Sequence, residues 1–154
     1  MTNTKLQINK ITKGFTLVEL LTIIAIIGIV SAISIPMYRQ LRPNLDLNAV
    51  ARDITSDLRY AQQLAVTEQD IHSVNFDILA NSYTIINEDS AITVKTVSIN
   101  PQIVISTIND LTGNSVSFNA TGGASESGII TLTNIDNVTT TIEIKPSGYV
   151  KIQN

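Results

Sequence analysis

Glu19 is the residue whose chemistry most needs explaining, because its carboxylate lies near the start of the apolar run FTLVELLTIIAIIGIVSAISIP at residues 15–36. An ionised carboxylate in such surroundings costs several kcal/mol unless a cation meets it. One source of that cation is the bond between Gly14 and Phe15. Hydrolysis there would free the Phe15 amine as a positive charge at membrane depth, where the Glu19 of a neighbouring copy could meet it. Gly14 suits the cut, since a residue without a side chain lets a protease hold an extended, unhindered backbone. Residue types and spacing thus point to processing followed by self-assembly.

Other chemistry is sparse. The chain has no cysteine and a single histidine, His72. It therefore has no disulfide, thiol nucleophile or thiolate ligand, and a head outside the cytoplasm would be held by its core alone. His72 stands at an expected strand start and reads as exposed. Glu88-Asp89 falls in an expected loop without the ligand spacing of a calcium site. No catalytic residue, no metal and no cofactor is expected. Lys145, Tyr149 and Lys151 flank the last turn and could form a small DNA patch, with Tyr149 stacking on a base. However, phosphate binding needs clustered cations, and from Tyr60 onward there are three lysines against nine acidic residues. A solvated strand end is the favoured reading there, and nucleic acid is not expected as a partner.

The elements that position these groups follow from pattern. Residues 1–14 carry Lys5, Lys10 and Lys13 and no acidic residue. A secretory signal has its short apolar stretch before the cleavage site; here the candidate cut comes first. The apolar run after it is about 20 residues, enough to cross a bilayer as a helix. The lysines favour the cytoplasmic side and place the remainder outside. The net charge of −3 becomes −6 once those three lysines are removed. Gly28 and Pro36 would loosen the helix, the first by entropy and the second by its missing donor and its clash with the preceding turn, so a bend is expected near Pro36.

With 154 residues, one globular domain is expected after the anchor. Between residues 44 and 69, Leu47, Val50, Ala51, Ile54, Leu58, Ala61 and Ala65 recur at steps of three and four, which is a helical stripe. Arg52, Asp53, Asp57, Arg59 and Glu68 are expected on the opposite, solvated face. Pro43 is a candidate interruption, with Asn44 or Asp46 capping a second piece. From Ile71 the pattern becomes short runs rich in Val, Ile and Thr between turn residues. Eight strands are expected, at 72–78, 82–87, 92–99, 103–106, 115–119, 128–133, 139–144 and 149–152. The expected fold is α+β: a long amino-terminal helix, membrane-spanning in its first half, packed on a carboxyl-terminal antiparallel β head.

Lys13-Gly14-Phe15-Thr16-Leu17-Val18-Glu19-Leu20 and the apolar run ending in Ile35-Pro36 resemble the prepilin cleavage and methylation motif of type IV pilins and type II secretion pseudopilins. That resemblance implies a membrane-embedded aspartyl peptidase cutting after Gly14, methylation of the Phe15 amine, and a docking role for Glu19 in the filament. Gly28 and Pro36 fall where pilins often carry helix-loosening residues. The remainder is similar to the H-type minor pseudopilin and related type IV minor pilins, on Asp57-Leu58-Arg59-Tyr60-Ala61, Val74-Asn75-Phe76-Asp77, Ser82-Tyr83-Thr84-Ile85, Val116-Ser117-Phe118-Asn119 before Gly122-Gly123, and Gly148-Tyr149-Val150. Two features depart from the family pattern: there is no cysteine pair, and the terminal glycine is not followed by arginine.

The expected organisation is a leader at 1–14, a transmembrane and filament-core helix at 15–36, its amphipathic continuation at 37–69, and a β-rich head at 70–154. The implied partners are the prepilin peptidase, other pilin or pseudopilin subunits, an inner-membrane assembly platform and membrane lipid. The implied location is the cytoplasmic membrane, amino terminus inside, and then the pilus or pseudopilus. Two other readings stay open: a DNA-binding minor pilin for uptake, and an anchored protein that never assembles.

Overall fold

Thr16 sets the start of the long helix α1 (Leu17–Glu68). Its Oγ1 accepts a hydrogen bond from the Glu19 backbone N–H at 3.2 Å, and its carbonyl accepts one from Leu20 N–H at 3.1 Å. Thr16 thereby satisfies a donor that a helix start otherwise leaves orphaned, and a carboxylate three residues on suits the positive end of the helix dipole. At the other end Gln69 takes a left-handed φ of 59° and its side-chain amide donates to the Val66 carbonyl. This stops the helix as a C-terminal glycine commonly does. The computed structural model describes residues 14–153, so the leader expected at residues 1–14 lies, except for Gly14, outside the described residues.

The chain divides into two units, Met1–Arg39 and Gln40–Asn154. In the first, Leu17–Ile35 is a 19-residue apolar helical stretch, long enough to cross a membrane, and none of it is buried. Two of its three hydroxyls, those of Thr22 and Ser34, donate to the carbonyls of Val18 and Val30 one turn back.

The second unit holds the remainder of α1 and all the strands. α1 is not interrupted at Pro43, and neither Asn44 nor Asp46 caps a second helix. Proline removes its own backbone donor and crowds the carbonyl one turn back, a local loss that packing of the following turns can offset. Asn44 instead accepts from Asn134 Nδ2 at 2.9 Å through its side chain, and Asp46 lies 3.7 Å from Arg42.

The strands are β1 (His72–Asp77), β2 (Ser82–Asn87), β3 (Ile92–Ser98), β4 (Ile103–Asn109), β5 (Ser115–Phe118), β6 (Gly128–Asn134), β7 (Thr139–Ile144) and β8 (Val150–Gln153). They form two antiparallel four-stranded sheets, ordered β3-β2-β1-β5 and β4-β6-β7-β8. Asn81 and Asn137 turn the β1–β2 and β6–β7 hairpins at left-handed φ values of 50° and 60°, which asparagine tolerates well. Leu47, Ala51, Ile54, Leu58, Ala61 and Ala65 of α1 join Val74, Phe76 and Ile85 of one sheet and Ile103, Ile130, Leu132, Ile142 and Ile144 of the other in one core. Val50 packs at its margin.

Two residues read as solvated are in fact buried. His72 has no exposed surface, because β1 is an inner strand, hydrogen-bonded to β2 on one side and β5 on the other. Asp57 is 8% exposed, held between Tyr83 and Lys95.

Candidate functional site

Gly14, Phe15 and Glu19 lie together at the amino-terminal end of the described helix, all exposed. A Cβ on Gly14 would meet no atom of the described residues within 4 Å. Glu19 has no ion-pair partner among the described residues. Its backbone is fixed by the Thr16 bond. A Cβ on Gly28 would likewise meet no described atom within 4 Å outside the helix's own backbone, and the helix continues through Pro36.

The carboxyl-terminal part of the second unit converges on α1. Arg59 Nη2 donates to the Val150 carbonyl at 3.0 Å and Gln62 Nε2 to the Gly122 carbonyl at 2.6 Å. These bonds cover backbone acceptors of an edge strand and a loop that would otherwise face solvent unpaired. Gly148 completes the junction. At φ 77° its absent Cβ would stand 2.0 Å from the Gly122 oxygen and 2.2 Å from Gln62 Nε2. Gly148→Ala is therefore expected to destabilise the protein by about 2 kcal/mol, from left-handed strain plus the clash; a chemical-denaturation midpoint equal to that of the parent chain would contradict this.

Tyr149 and Lys151 line a groove of about 290 Å³ between α1 and β8, together with Arg52, Ser56 and Arg59. Lys145 is not among its lining residues and lies 3.9 Å from Glu143. Counting cations from Tyr60 onward missed Arg52 and Arg59, which reach the groove from the helix. Asp57 was also missed, although a signal for it existed: it stands three residues after Ile54 and four before Ala61, on the stripe itself.

A model of the prokaryotic N-terminal methylation motif matches residues 9–35, and a model of the type II transport protein GspH matches residues 50–148, more than half of the chain. The chain belongs to the GspH family. Its fold is that of solved relatives. The minor pseudopilin EpsH of Vibrio cholerae superposes with a TM-score of 0.59 at 7% identity, covering 70% of this chain and 96% of that one. The type IV minor pilin FimU of Pseudomonas aeruginosa gives 0.58 at 14%, covering 72% and 90%. A fimbrial protein of Pseudomonas aeruginosa is 37% identical over 59 residues, 38% of each chain. The fimbrial protein EcpB of Eikenella corrodens is 46% identical over 44 residues, covering 29% of this chain and 28% of that one. This GspH-family chain thus spans well under half the length of the fimbrial proteins it matches. The solved proteins it superposes on are a minor pseudopilin and a minor pilin.

Proposed function

We propose that this chain is a structural minor pilin or pseudopilin, cut after Gly14 by a prepilin peptidase, methylated on Phe15, and assembled through Glu19 into a type IV pilus or type II secretion pseudopilus whose growth it initiates or caps. The observation that carries this reading is an apolar helical stretch with no buried residue, bearing one carboxylate that has no cationic partner among the described residues, five residues beyond Gly14. Such a helix needs lipid first and neighbouring helices afterwards, and the carboxylate needs a positive charge at the same depth. The amine released by the cut supplies it.

In this reading residues 1–14 are the leader, 15–36 the membrane and filament-core segment, 37–69 the amphipathic part and 70–154 the head. The basic leader stays in the cytoplasm and the head lies outside the inner membrane. Gly28 and Pro36 give the span local freedom to repack as it leaves lipid for the filament. Other pilin-like subunits and an inner-membrane assembly platform are the partners.

Mass spectrometry of the chain extracted from membranes of cells containing the peptidase tests this. The expected product begins at Phe15 and carries one added methyl group. An intact, unmethylated chain would leave the reading of a non-assembling anchor in its place.

A further inference from the structure

Two turns of the second unit carry apolar side chains that their own folding does not call for. The β1–β2 turn is closed by Asp77, whose Oδ1 accepts from the Ala80 N–H at 2.9 Å, and by Asn81, whose carbonyl accepts from the Ile99 N–H at 2.9 Å. Between them Leu79 is 99% exposed. The β6–β7 turn is built by Asn134, whose Oδ1 accepts from the N–H groups of Asp136 and Val138 and whose carbonyl accepts from the Asn137 N–H. Ile135 contributes none of those bonds and is 60% exposed, and Val138 is exposed as well. A polar residue would serve either turn equally, and turns ordinarily carry one.

The two turns are tied together at the end where α1 enters the unit. Asn81 Nδ2 donates to the Ile103 carbonyl at 2.7 Å, Ile103 pairs with Asn134 across β4 and β6, and Asn134 Nδ2 donates to Asn44 Oδ1 at 2.9 Å. Asn44 lies close to Gln40, where this unit begins. On the same stretch Leu41 and Leu45, four residues apart and so on one face of the helix, are exposed too. Single exposed apolar residues are ordinary on a protein surface. Leu41, Leu45, Leu79, Ile135 and Val138 instead form a rim around one end.

The sequence says what that end faces. The apolar stretch Leu17–Ile35 is followed by Tyr38 and Arg42, residue types that mark the boundary between hydrocarbon and water. Leu41 comes six residues after Ile35, and six residues reach at most about 22 Å even when fully extended. The rim is thus tethered close to any bilayer the apolar stretch crosses. The charges nearest the two turn tips in sequence are Asp77 and Asp136. They offer anionic headgroups no attraction, so apolar burial is what draws such a rim to lipid.

We propose that Leu79, Ile135 and Val138, with Leu41 and Leu45, rest in the interfacial layer of a phospholipid bilayer while the chain is held by its apolar helix and before it joins a filament. The inference rests on the membrane-anchoring reading above and adds a second membrane contact, made by the head. A single anchoring helix leaves a head free to turn about it. A second contact stops that rotation and decides which side of the head is presented to other subunits.

Because the chain has no cysteine, single introduced thiols carry a fluorescent label to chosen positions. Full-length L79C, I135C and S90C chains, each held by its apolar helix in bilayer discs of phosphatidylcholine, test the contact. Ser90 is exposed, follows β2 at the end away from the β1–β2 turn, and serves as the reference. Quenching by a nitroxide carried on the lipid is expected to be at least about fivefold stronger at positions 79 and 135 than at 90, and to persist at high salt. A label on V138C is expected to be quenched likewise, and adding L79D and I135D to that chain to lower its quenching to the level of position 90. Those two changes spare Asp77 and the asparagines that close the turns, so the fold is kept. Equal quenching at positions 79, 135 and 90 in a disc-bound chain would overturn the inference and leave the anchoring reading intact, as would a difference that salt abolishes. A chain that does not stay in the discs would remove both. Protection that appears only when other pilin-like subunits are added would also overturn the inference, assigning the rim to protein.

Discussion

A Glu19→Val chain is expected to be cut after Gly14 and to enter the membrane, yet to be nearly absent from filaments. Valine is at home in the apolar helix, so insertion does not suffer; it becomes easier, since a carboxylate in lipid is costly. Backbone capping is retained, because the Thr16 hydroxyl accepts from the N–H of residue 19 whatever its side chain. What disappears, in the proposed reading, is the counter-charge for the amine of a neighbouring subunit. Leaving one member of an ion pair uncompensated in a low-dielectric core costs about 3–5 kcal/mol, and each 1.4 kcal/mol or so is tenfold in an equilibrium. A fall in incorporation of more than about a hundredfold follows. Quantitative mass spectrometry of sheared filaments against the membrane fraction measures it, and Glu19→Asp, which keeps the charge on a shorter arm, is expected to fall between the two. Incorporation of the valine chain at the parent level would remove Glu19 from assembly.

The second large effect belongs to Asp57. Its carboxylate accepts a 2.6 Å hydrogen bond from the hydroxyl of Tyr83, which is 1% exposed, and lies 2.7 Å from Lys95 Nζ, whose side chain is 45% exposed. The two partners contribute unequally. A half-exposed lysine in an ion pair is worth about 1 kcal/mol or less, whereas a buried hydroxyl stripped of its acceptor costs about 1–3 kcal/mol, more when the lost acceptor is charged. Asp57→Ala is therefore expected to cost about 3 kcal/mol and lower the melting temperature by more than about 10 °C. Lys95→Met is expected to cost less than about 1 kcal/mol. If the lysine change proved the larger, the weighting of burial over charge would be wrong.

Burial, then the hydrogen bond to Asp57 and its negative charge, push the Tyr83 phenol well above its usual range. In the unfolded chain tyrosine ionises near about pH 10. A folded-state pKa above the unfolded one keeps the proton on the native protein, so this contribution to stability is complete below about pH 10 and falls as pH rises beyond it. Tyr83→Phe is expected to remove that alkaline dependence, as a denaturation series against pH would show.

Much of the fold could be read in advance, and the misses have physical causes. The bounds of β2 and β7 agree with the alternation in the sequence, because a strand with one buried face must repeat every second residue. The stripe from Leu47 to Ala65 is buried as its spacing requires. Pro43, a candidate interruption, leaves the helix continuous because proline's cost is local while the packing of the helix around it extends over many turns. Asp57 misled because a charged residue on an apolar stripe reads as an exception until its partners are known, and Tyr83 and Lys95 lie 26 and 38 residues away.

The amino-terminal reading was legible in the sequence, because it is local: Gly14, Phe15, a carboxylate four residues further on and an apolar run are neighbours along the chain. Only the tertiary structure decided that His72 is enclosed and that Arg52 and Arg59 share a groove with Lys151. Those facts depend on which residues two sheets and a helix bring together across tens of positions, and a pattern of spacing along one chain carries no record of that.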